Sequence, residues 1–200
     1  MKQAIAYLVN ADPIFEKIIQ EYGLPIQPKR PQGFETLVLL ILEQQVSIDS
    51  AKATFLRLKQ AIPEFHPENL ILFSDEDFRA CGVSRQKTKY IKALSDAVIS
   101  NELDLVSLEF KHPDVARQEL IKIKGIGNWT IDIYLMFCLN SPDIIPLGDI
   151  AVVNTIKELL DIQTKEDMEI YTQKWSPYRS FATYFLWHYY LQKRGRKIIY

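Results

Sequence analysis

The sequence predicts an all-α protein, built as a two-lobed helical bundle. Apolar residues recur at helical spacing along the chain, and no stretch alternates apolar with polar residues for more than a few positions. Asp, Ser, Thr or Pro residues suited to helix starts stand before successive apolar runs. With 200 residues and 48% hydrophobic composition, the chain can bury a sizeable core without disulfides or metals.

The first half of the chain carries several helix signals in order. Asp12-Pro13 is an N-cap followed by proline in the first turn, and Gly23 ends that helix. Ser47 and Ser84 are expected to cap later helices, and Ser74 with Asp77 is similar to a capping box. The predicted helices cover about residues 12–22, 34–45, 47–61, 74–82 and 84–98.

The second half continues the helical pattern. Pro113 opens a helix that ends near Lys122, and a further helix follows the glycines at 125 and 127. Ser176-Pro177 is expected to open the last long helix, which is rich in aromatic residues. The remaining predictions are helices over about 128–139 and 149–160 and a short one after Thr164. We expect one domain with helical lobes of about 34–110 and of 1–33 plus 111–200.

Composition narrows the class of protein. Only Cys81 and Cys138 occur, which excludes a disulfide scaffold and a four-cysteine zinc or iron–sulfur site. Apolar runs are too short to span a bilayer, and the N-terminus has no secretion signal, so we expect an intracellular protein without membrane contact. The net charge of −1 counts mildly against nucleic-acid binding.

Basic residues nevertheless form three groups along the chain. Each group is explained as well by a solvated helix face as by a site for an anion. The groups are Arg79, Arg85, Lys87, Lys89 and Lys92; Lys122 and Lys124; and Lys193, Arg194, Arg196 and Lys197.

The most informative segment is the hairpin that contains Gly125 and Gly127. These glycines allow unusual backbone angles and expose bare backbone just before a helix begins. Helix N-terminal N–H groups and the dipole attract anions, and a DNA phosphate fits there without reading sequence. Taken alone, the pattern is equally consistent with a tight turn between two core helices.

A second signal lies about twenty residues further on. The segment 141–149, Ser-Pro-Asp-Ile-Ile-Pro-Leu-Gly-Asp, leads through a proline-containing loop to Asp149 at the mouth of the next helix. Taken together, Gly-Ile-Gly-Asn-Trp-Thr at 125–130 and this segment resemble the signature of the helix-hairpin-helix–Gly/Pro–Asp DNA glycosylases. Glu-Gln-Gln-Val-Ser at 43–47 resembles an upstream motif of that family, and residues 175–180 with Trp187 resemble its alkylpurine branch, of DNA-3-methyladenine glycosylase II type.

This resemblance implies a base excision repair enzyme with an active-site cleft between its lobes. Such enzymes flip a damaged nucleotide from the duplex and break the glycosidic bond through an oxocarbenium-like state. The catalytic Asp of the family matches Asp149, which we expect to be ionised at a helix N-terminus and to stabilise the charge on the sugar. From spacing alone, Asp149 is equally well explained as an N-cap, and Asp143 is interpreted as a turn residue.

The resemblance also implies a monofunctional enzyme. Family members that cut the strand carry a Lys where this chain has Trp129, and Trp cannot form a Schiff base. Trp187 matches a stacking residue of the alkylpurine branch, and Trp129 is a second candidate wall for a cationic base. From pattern alone, core packing explains each Trp equally well or better.

Further residues are assigned through the same resemblance. Gln45 matches the position that fills the gap left by the flipped base. The DNA-binding set comprises Gly125, Gly127, Thr130, Gln45, Lys122 and Lys124. No cofactor is required, but the backbone carbonyls of Ile121, Ile123 and Ile126 match positions that hold a monovalent cation, Na⁺ or K⁺, at the hairpin when DNA is bound. The expected partner is double-stranded DNA containing damaged bases, and we expect a monomer acting in the cytoplasm or nucleoid of a bacterium or the nucleus of a eukaryote.

Three other functions stay open. A non-catalytic helix-hairpin-helix DNA-binding module needs the hairpin but neither Asp149 nor an aromatic pocket. A glycosylase for another lesion or a mismatch is weakened by the missing cysteine cluster, and a general all-α scaffold is a distant third. About thirty residues precede the first family motif, and they are too few for the β-rich domain that other alkylpurine members carry. The range of damaged bases that the protein accepts therefore stays open.

Overall fold

The computed structural model describes residues 1–62 and 64–196, so Pro63 and Lys197, the last residue of the basic C-terminal group, lie outside it. These residues form helices joined by loops and contain no strand, which confirms the all-α prediction. The α-helices are α1 Lys2–Ala11, α2 Pro13–Tyr22, α3 Phe34–Glu43, α4 Ile48–Ala61, α5 Pro67–Leu72, α6 Asp75–Ala80, α7 Arg85–Ile99, α8 Pro113–Leu120, α9 Asn128–Phe137, α10 Ile150–Leu160, α11 Lys165–Thr172 and α12 Arg179–Gln192. Short 3₁₀ turns cover Ser107–Phe110 and Gln173–Trp175.

The chain divides into two compact units. The first comprises residues 1–29 and 135–200, and the second comprises residues 30–134. The sequence analysis placed the later boundary near residue 110. The observed boundary lies further along the chain, because the hairpin after α8 is bonded to the end of α3 and packs on α7.

In the first unit, α12 packs against α10, α2 and α1. Phe15 of α2 lies between the rings of Trp175 and Phe185, at centroid distances of 5.2 and 5.3 Å. The buried Asp12 carboxylate accepts a hydrogen bond from the Trp175 indole N–H at 3.1 Å and contacts the Lys174 amine at 2.9 Å. These contacts tie the N-terminal helices to residues more than 150 positions away.

In the second unit, α7 packs against α3, α5 and α6, and α3 packs against α4. Leu37, Leu40 and Ile41 of α3 are fully buried, as are Ile91 and Leu94 of α7. Burial of each such side chain stabilises the fold by about 1.5–3 kcal/mol before the entropy of ordering is subtracted. This core fixes the ends of α3 and α7, which position the hairpin.

Most of the predicted helix starts are confirmed by their caps. The side chains of Asp12, Ser47, Ser74 and Ser84 each accept a backbone N–H of the helix that follows them. Each such bond satisfies a donor that has no partner inside the helix.

Several predicted helix bounds differ from the observed ones by two or three residues, including the ends of α6 and α9. Helix α3 ends at Glu43 rather than at residue 45, because Gln44 is extended and Gln45 adopts a left-handed backbone with φ 58°. Helix α12 begins at Arg179 rather than at Ser176-Pro177. Its first backbone N–H, that of Arg179, donates to the Asp143 carboxylate at 3.2 Å. The acceptor that caps the start of α12 therefore comes from a loop distant in sequence.

Candidate active site and glycine hairpin

Asp149 is the residue immediately before α10 and has an extended backbone. Its Oδ1 accepts hydrogen bonds from the backbone N–H groups of Ala151 at 2.9 Å and Val152 at 3.1 Å. The same oxygen accepts the indole N–H of Trp187 at 3.0 Å. Asp149 is therefore an N-cap, and a side chain from α12 additionally fixes the plane of its carboxylate.

Trp187 is 8% exposed and lies among aromatic rings of the first unit. The Phe137 ring meets it edge-on at 5.7 Å, and the Tyr184 ring lies 6.2 Å away with 30° between the planes. Sequence reasoning treated Trp187 as a stacking wall and did not anticipate its bond to Asp149. The structure joins the catalytic and the stacking candidate of this unit in one hydrogen-bonded pair.

Asp143, the rival carboxylate, is fully engaged elsewhere. Arg179 donates to it through Nε at 2.8 Å and Nη2 at 2.9 Å, and the Ser176 hydroxyl donates at 2.8 Å. Burial alone raises the pKa of the Asp143 carboxyl, but the hydrogen bonds from Arg179 and Ser176 and the Arg179 charge lower it overall. Asp143 thus holds the start of α12, the helix that carries Trp187.

The hairpin between α8 and α9 forms in the second unit. Gly125 has φ 91°, which other residues rarely adopt, and a Cβ there would lie 2.1 Å from Cγ of Tyr90. Only glycine lets the hairpin backbone rest on the Tyr90 ring. A Cβ at Gly127 would meet nothing within 4 Å, so the space beside Gly127 is open.

The two helices of the hairpin are joined by an ion pair between Arg117 of α8 and Asp132 of α9. Burial raises the pKa of the Asp132 carboxyl, and the hydrogen bond and charge of Arg117 oppose that rise. The pair therefore connects α8 to α9 on either side of the glycines. Nothing in the sequence pattern marked these two residues.

Thr130 is 1% exposed, and its Oγ1 accepts a hydrogen bond from the Gln44 side chain at 3.0 Å. The DNA contact of Thr130 stays a prediction, and its buried side chain contacts Gln44. Lys122, Lys124 and Gly127 are exposed, as a backbone or phosphate contact requires. Gln45 is also exposed, on the turn between α3 and α4.

The basic residues between positions 79 and 92 differ in their contacts and in their exposure. Lys92 pairs with Asp75 at 2.6 Å, and Lys87 donates to the carbonyl of Leu42 at 2.7 Å. Burial lowers the pKa of Lys87. Arg79, Arg85 and Lys89 are exposed.

Trp129 lies in the first turn of α9 and is half-buried. The backbone before it includes the predicted carbonyl ligands. Ile123 carbonyl accepts Ile126 N–H at 3.0 Å and retains a second lone pair, which fits ligation of a monovalent cation by carbonyls. That cation stays a prediction. No cluster of His, Cys, Asp or Glu suited to a metal, and no helix long and apolar enough to cross a membrane, occurs in residues 1–62 and 64–196.

These elements form a glycine hairpin in one unit and a helix-capping carboxylate bonded to a Trp in the other. The family profile described as "HhH-GPD superfamily base excision DNA repair protein" matches residues 38–179, a range that includes the glycine hairpin and Asp149. The chain therefore belongs to the HhH-GPD superfamily, which confirms the resemblance inferred from the sequence.

Individual relatives agree with this membership. The chain is 29% identical over 181 residues to DNA-3-methyladenine glycosylase 1 of Schizosaccharomyces pombe, covering 86% of this chain and 78% of the relative. It is similar to the crystal structure of a DNA-3-methyladenine glycosidase from Bacillus halodurans, with TM-score 0.83, 31% identity, and coverage of 96% and 91% of the two chains. A complex of the S. pombe 3-methyladenine DNA glycosylase with abasic DNA gives TM-score 0.81 and 27% identity, covering 92% and 95%.

Proposed function

We propose that this chain is a monofunctional DNA glycosylase, which hydrolyses the N-glycosidic bond of alkylated purines flipped out of duplex DNA. The observation that carries the proposal is the Asp149 carboxylate, oriented by two backbone N–H groups of α10 and by the Trp187 indole N–H. The names of its relatives as 3-methyladenine glycosylases support the same activity.

The proposed chemistry needs a fixed anion beside the sugar. As the bond between base and sugar breaks, its electron pair leaves with the base and positive charge develops on the sugar. The Asp149 carboxylate stabilises that charge electrostatically, because it is already oriented before the reaction. Water then adds to the sugar and loses a proton, and the same carboxylate is placed to orient it.

An alkylated purine such as 3-methyladenine or 7-methylguanine carries positive charge and is a good leaving group. Aromatic faces attract such cations, and Trp187 with Phe137 and Tyr184 supplies a cluster of them next to Asp149. We propose that this cluster borders the pocket for the base. Trp129, exposed in part at the start of α9 in the second unit, stays the other base-stacking candidate predicted from the sequence.

The absence of lyase activity is proposed from Trp129. Strand cleavage by a glycosylase needs an amine that forms a Schiff base with the sugar, and the matching position of this chain is an indole. Duplex DNA is the proposed partner, with its backbone held at Gly125, Gly127 and the exposed lysines 122 and 124.

Substitution Asp149→Asn tests the proposal. Asn caps helices about as well as Asp, so α10 and the free energy of unfolding should change little. The negative charge is lost, so release of 7-methylguanine under single-turnover conditions should fall by at least about 100-fold. Binding to a duplex with an abasic-site analogue should persist.

The same reaction, analysed with and without alkali, tests the monofunctional assignment. Strand breaks should appear only after alkali treatment. Full base release by the Asn variant would favour a different catalytic group. Duplex binding without any base release by the unaltered protein would favour the non-catalytic DNA-binding module.

A further inference from the structure

We propose that Gln44 is a positioning residue, which fixes the turn carrying Gln45 relative to the glycine hairpin. Gln45, which fills the gap left by the flipped base, and the hairpin, which binds the DNA backbone, are thereby kept at a fixed spacing. This inference rests on the proposed function. It assigns a role to Gln44 through its contacts within the protein, and it concerns the second unit alone.

The link is a pair of hydrogen bonds from one amide group. Gln44 Nε2 donates to the Gly125 carbonyl at 2.9 Å and to Thr130 Oγ1 at 3.0 Å. An amide nitrogen has two donor hydrogens, and this geometry uses both. The acceptors lie 81 and 86 positions along the chain, one on the hairpin and one on α9.

Beside Gln44, the ion pair between Glu43 and Arg30, 2.8 Å apart, holds the start of the turn. Its backbone bonds are long, with Gln44 N–H to the Ile41 carbonyl at 3.4 Å and Val46 N–H to the Glu43 carbonyl at 3.5 Å. Gln45 has a left-handed backbone, which costs a non-glycine residue free energy unless neighbouring contacts impose it. The shorter bonds of the adjacent Gln44 supply that constraint, since consecutive Cα atoms are only about 3.8 Å apart.

Helix α7 supports both ends of the link from one face. Lys87 donates to the Leu42 carbonyl at 2.7 Å, in the last turn of α3. Three residues further along α7, the Tyr90 ring packs directly against Gly125. Residues three apart lie on the same helix face, so one face of α7 contacts both the end of α3 and the hairpin, the two segments that Gln44 connects.

A residue that only stabilised the fold would affect duplex binding, extrusion and base release in proportion to the loss of folded protein. A positioning residue affects the step that depends on Gln45. Its substitution should therefore remove the benefit of Gln45, which a double-mutant cycle measures directly.

The test uses Gln44→Met, which keeps the length of the side chain and removes both donors. Gln118→Met, at an exposed site on α8, is the matched control. Two readouts are made on the full chain. One is the fluorescence of 2-aminopurine placed beside an abasic-site analogue in a duplex at saturating protein. The other is single-turnover release of 7-methylguanine.

We expect Gln44→Met to lower both readouts on the order of tenfold, since small misplacements of positioning groups have effects of this size or more. The control should match the unaltered protein. The double variant Gln44→Met/Gln45→Ala should be no worse than Gln45→Ala alone. Thr130→Val, which removes one acceptor without touching the turn, should show a smaller loss in the same direction and applies even if Gln44→Met folds poorly.

Additive losses in the double variant, or unchanged fluorescence in Gln44→Met and Thr130→Val, would overturn the role of Gln44. The fluorescence readout needs no base release, so it decides this question even if the chain releases no base. Absence of base release from the unaltered protein would instead contradict the proposed function.

Discussion

The hydrogen bond from Trp187 to Asp149 makes a sharp prediction for Trp187→Phe. The change keeps an aromatic ring in the cluster with Phe137 and Tyr184 but removes the indole N–H that lies 3.0 Å from Oδ1 of Asp149. Two backbone N–H groups still bond to that oxygen, so the cap of α10 survives. What is lost is the constraint on the direction of the carboxylate.

The expected size follows from the nature of this bond. A hydrogen bond to a charged group contributes about 1.5–3 kcal/mol, and each 1.4 kcal/mol of barrier is about tenfold in rate. We therefore expect base release to slow by about 10- to 100-fold. Because Trp187 is 8% exposed, its smaller replacement should also lower the free energy of unfolding by about 1–2 kcal/mol.

The chain offers a matched control for that loss of stability. Trp175→Phe removes an indole at a fully buried site, where the N–H bonds to the carboxylate of Asp12 at 3.1 Å. Its cost in stability should equal or exceed that of Trp187→Phe, while the rate of base release by the folded protein stays unchanged. Single-turnover release from duplexes containing 7-methylguanine, alongside urea denaturation, separates the two quantities.

The reasoning would be refuted if Trp187→Phe released base at the full rate. It would also fail if both variants slowed release to the same extent, because the effect would then follow stability and not the orientation of Asp149.

Further predictions concern the hairpin and the start of α12. Gly125→Ala should lower the free energy of unfolding by at least about 2 kcal/mol, because its Cβ would overlap Tyr90 and its φ is 91°. Gly127→Ala should change the free energy of unfolding by no more than about 0.5 kcal/mol. It should nevertheless weaken duplex binding, which titration of labelled DNA measures. Equal effects on stability would contradict this assignment. Since the folded-state pKa of Asp143 is lowered, its stabilisation is complete above the ordinary value of 3.8 and is lost as pH falls through the lower folded value. The Asp143→Asn variant should therefore be less stable than the unaltered protein at neutral pH. Below about pH 4, its stability, followed by circular dichroism, should fall less steeply with decreasing pH. An unchanged pH dependence in this range would contradict the pairing with Arg179.

Local signals in the sequence predicted much of the fold. The caps at Asp12, Ser84 and Thr164 are short-range chemistry, so their helices could be located from adjacent residues. Helices α1 and α5 were missed because no side chain caps the start of either helix. The start of α12 was misplaced because its donor bonds to Asp143, a partner that no local pattern shows.

The residues of the candidate site could also be predicted from the sequence only in part. Asp149 and the two glycines were proposed through the family resemblance, and local residue types predicted their positions at a helix start and in a turn. Gln44 and Tyr90 were missed, since their roles are contacts with a hairpin dozens of positions away. Thr130 was assigned to DNA through the family resemblance, and its bond to Gln44 is a contact that no local pattern shows.

The two roles of Asp149, the observed helix cap and the proposed catalytic carboxylate, have a consequence for inherited variation. Asn at this position preserves the start of α10, so such a chain would reach normal abundance and pass cellular quality control. It would still recognise lesions yet leave them in place, shielding them from other repair proteins. An allele of this kind would be more harmful than a deletion, and measurement of protein level would give no sign of it.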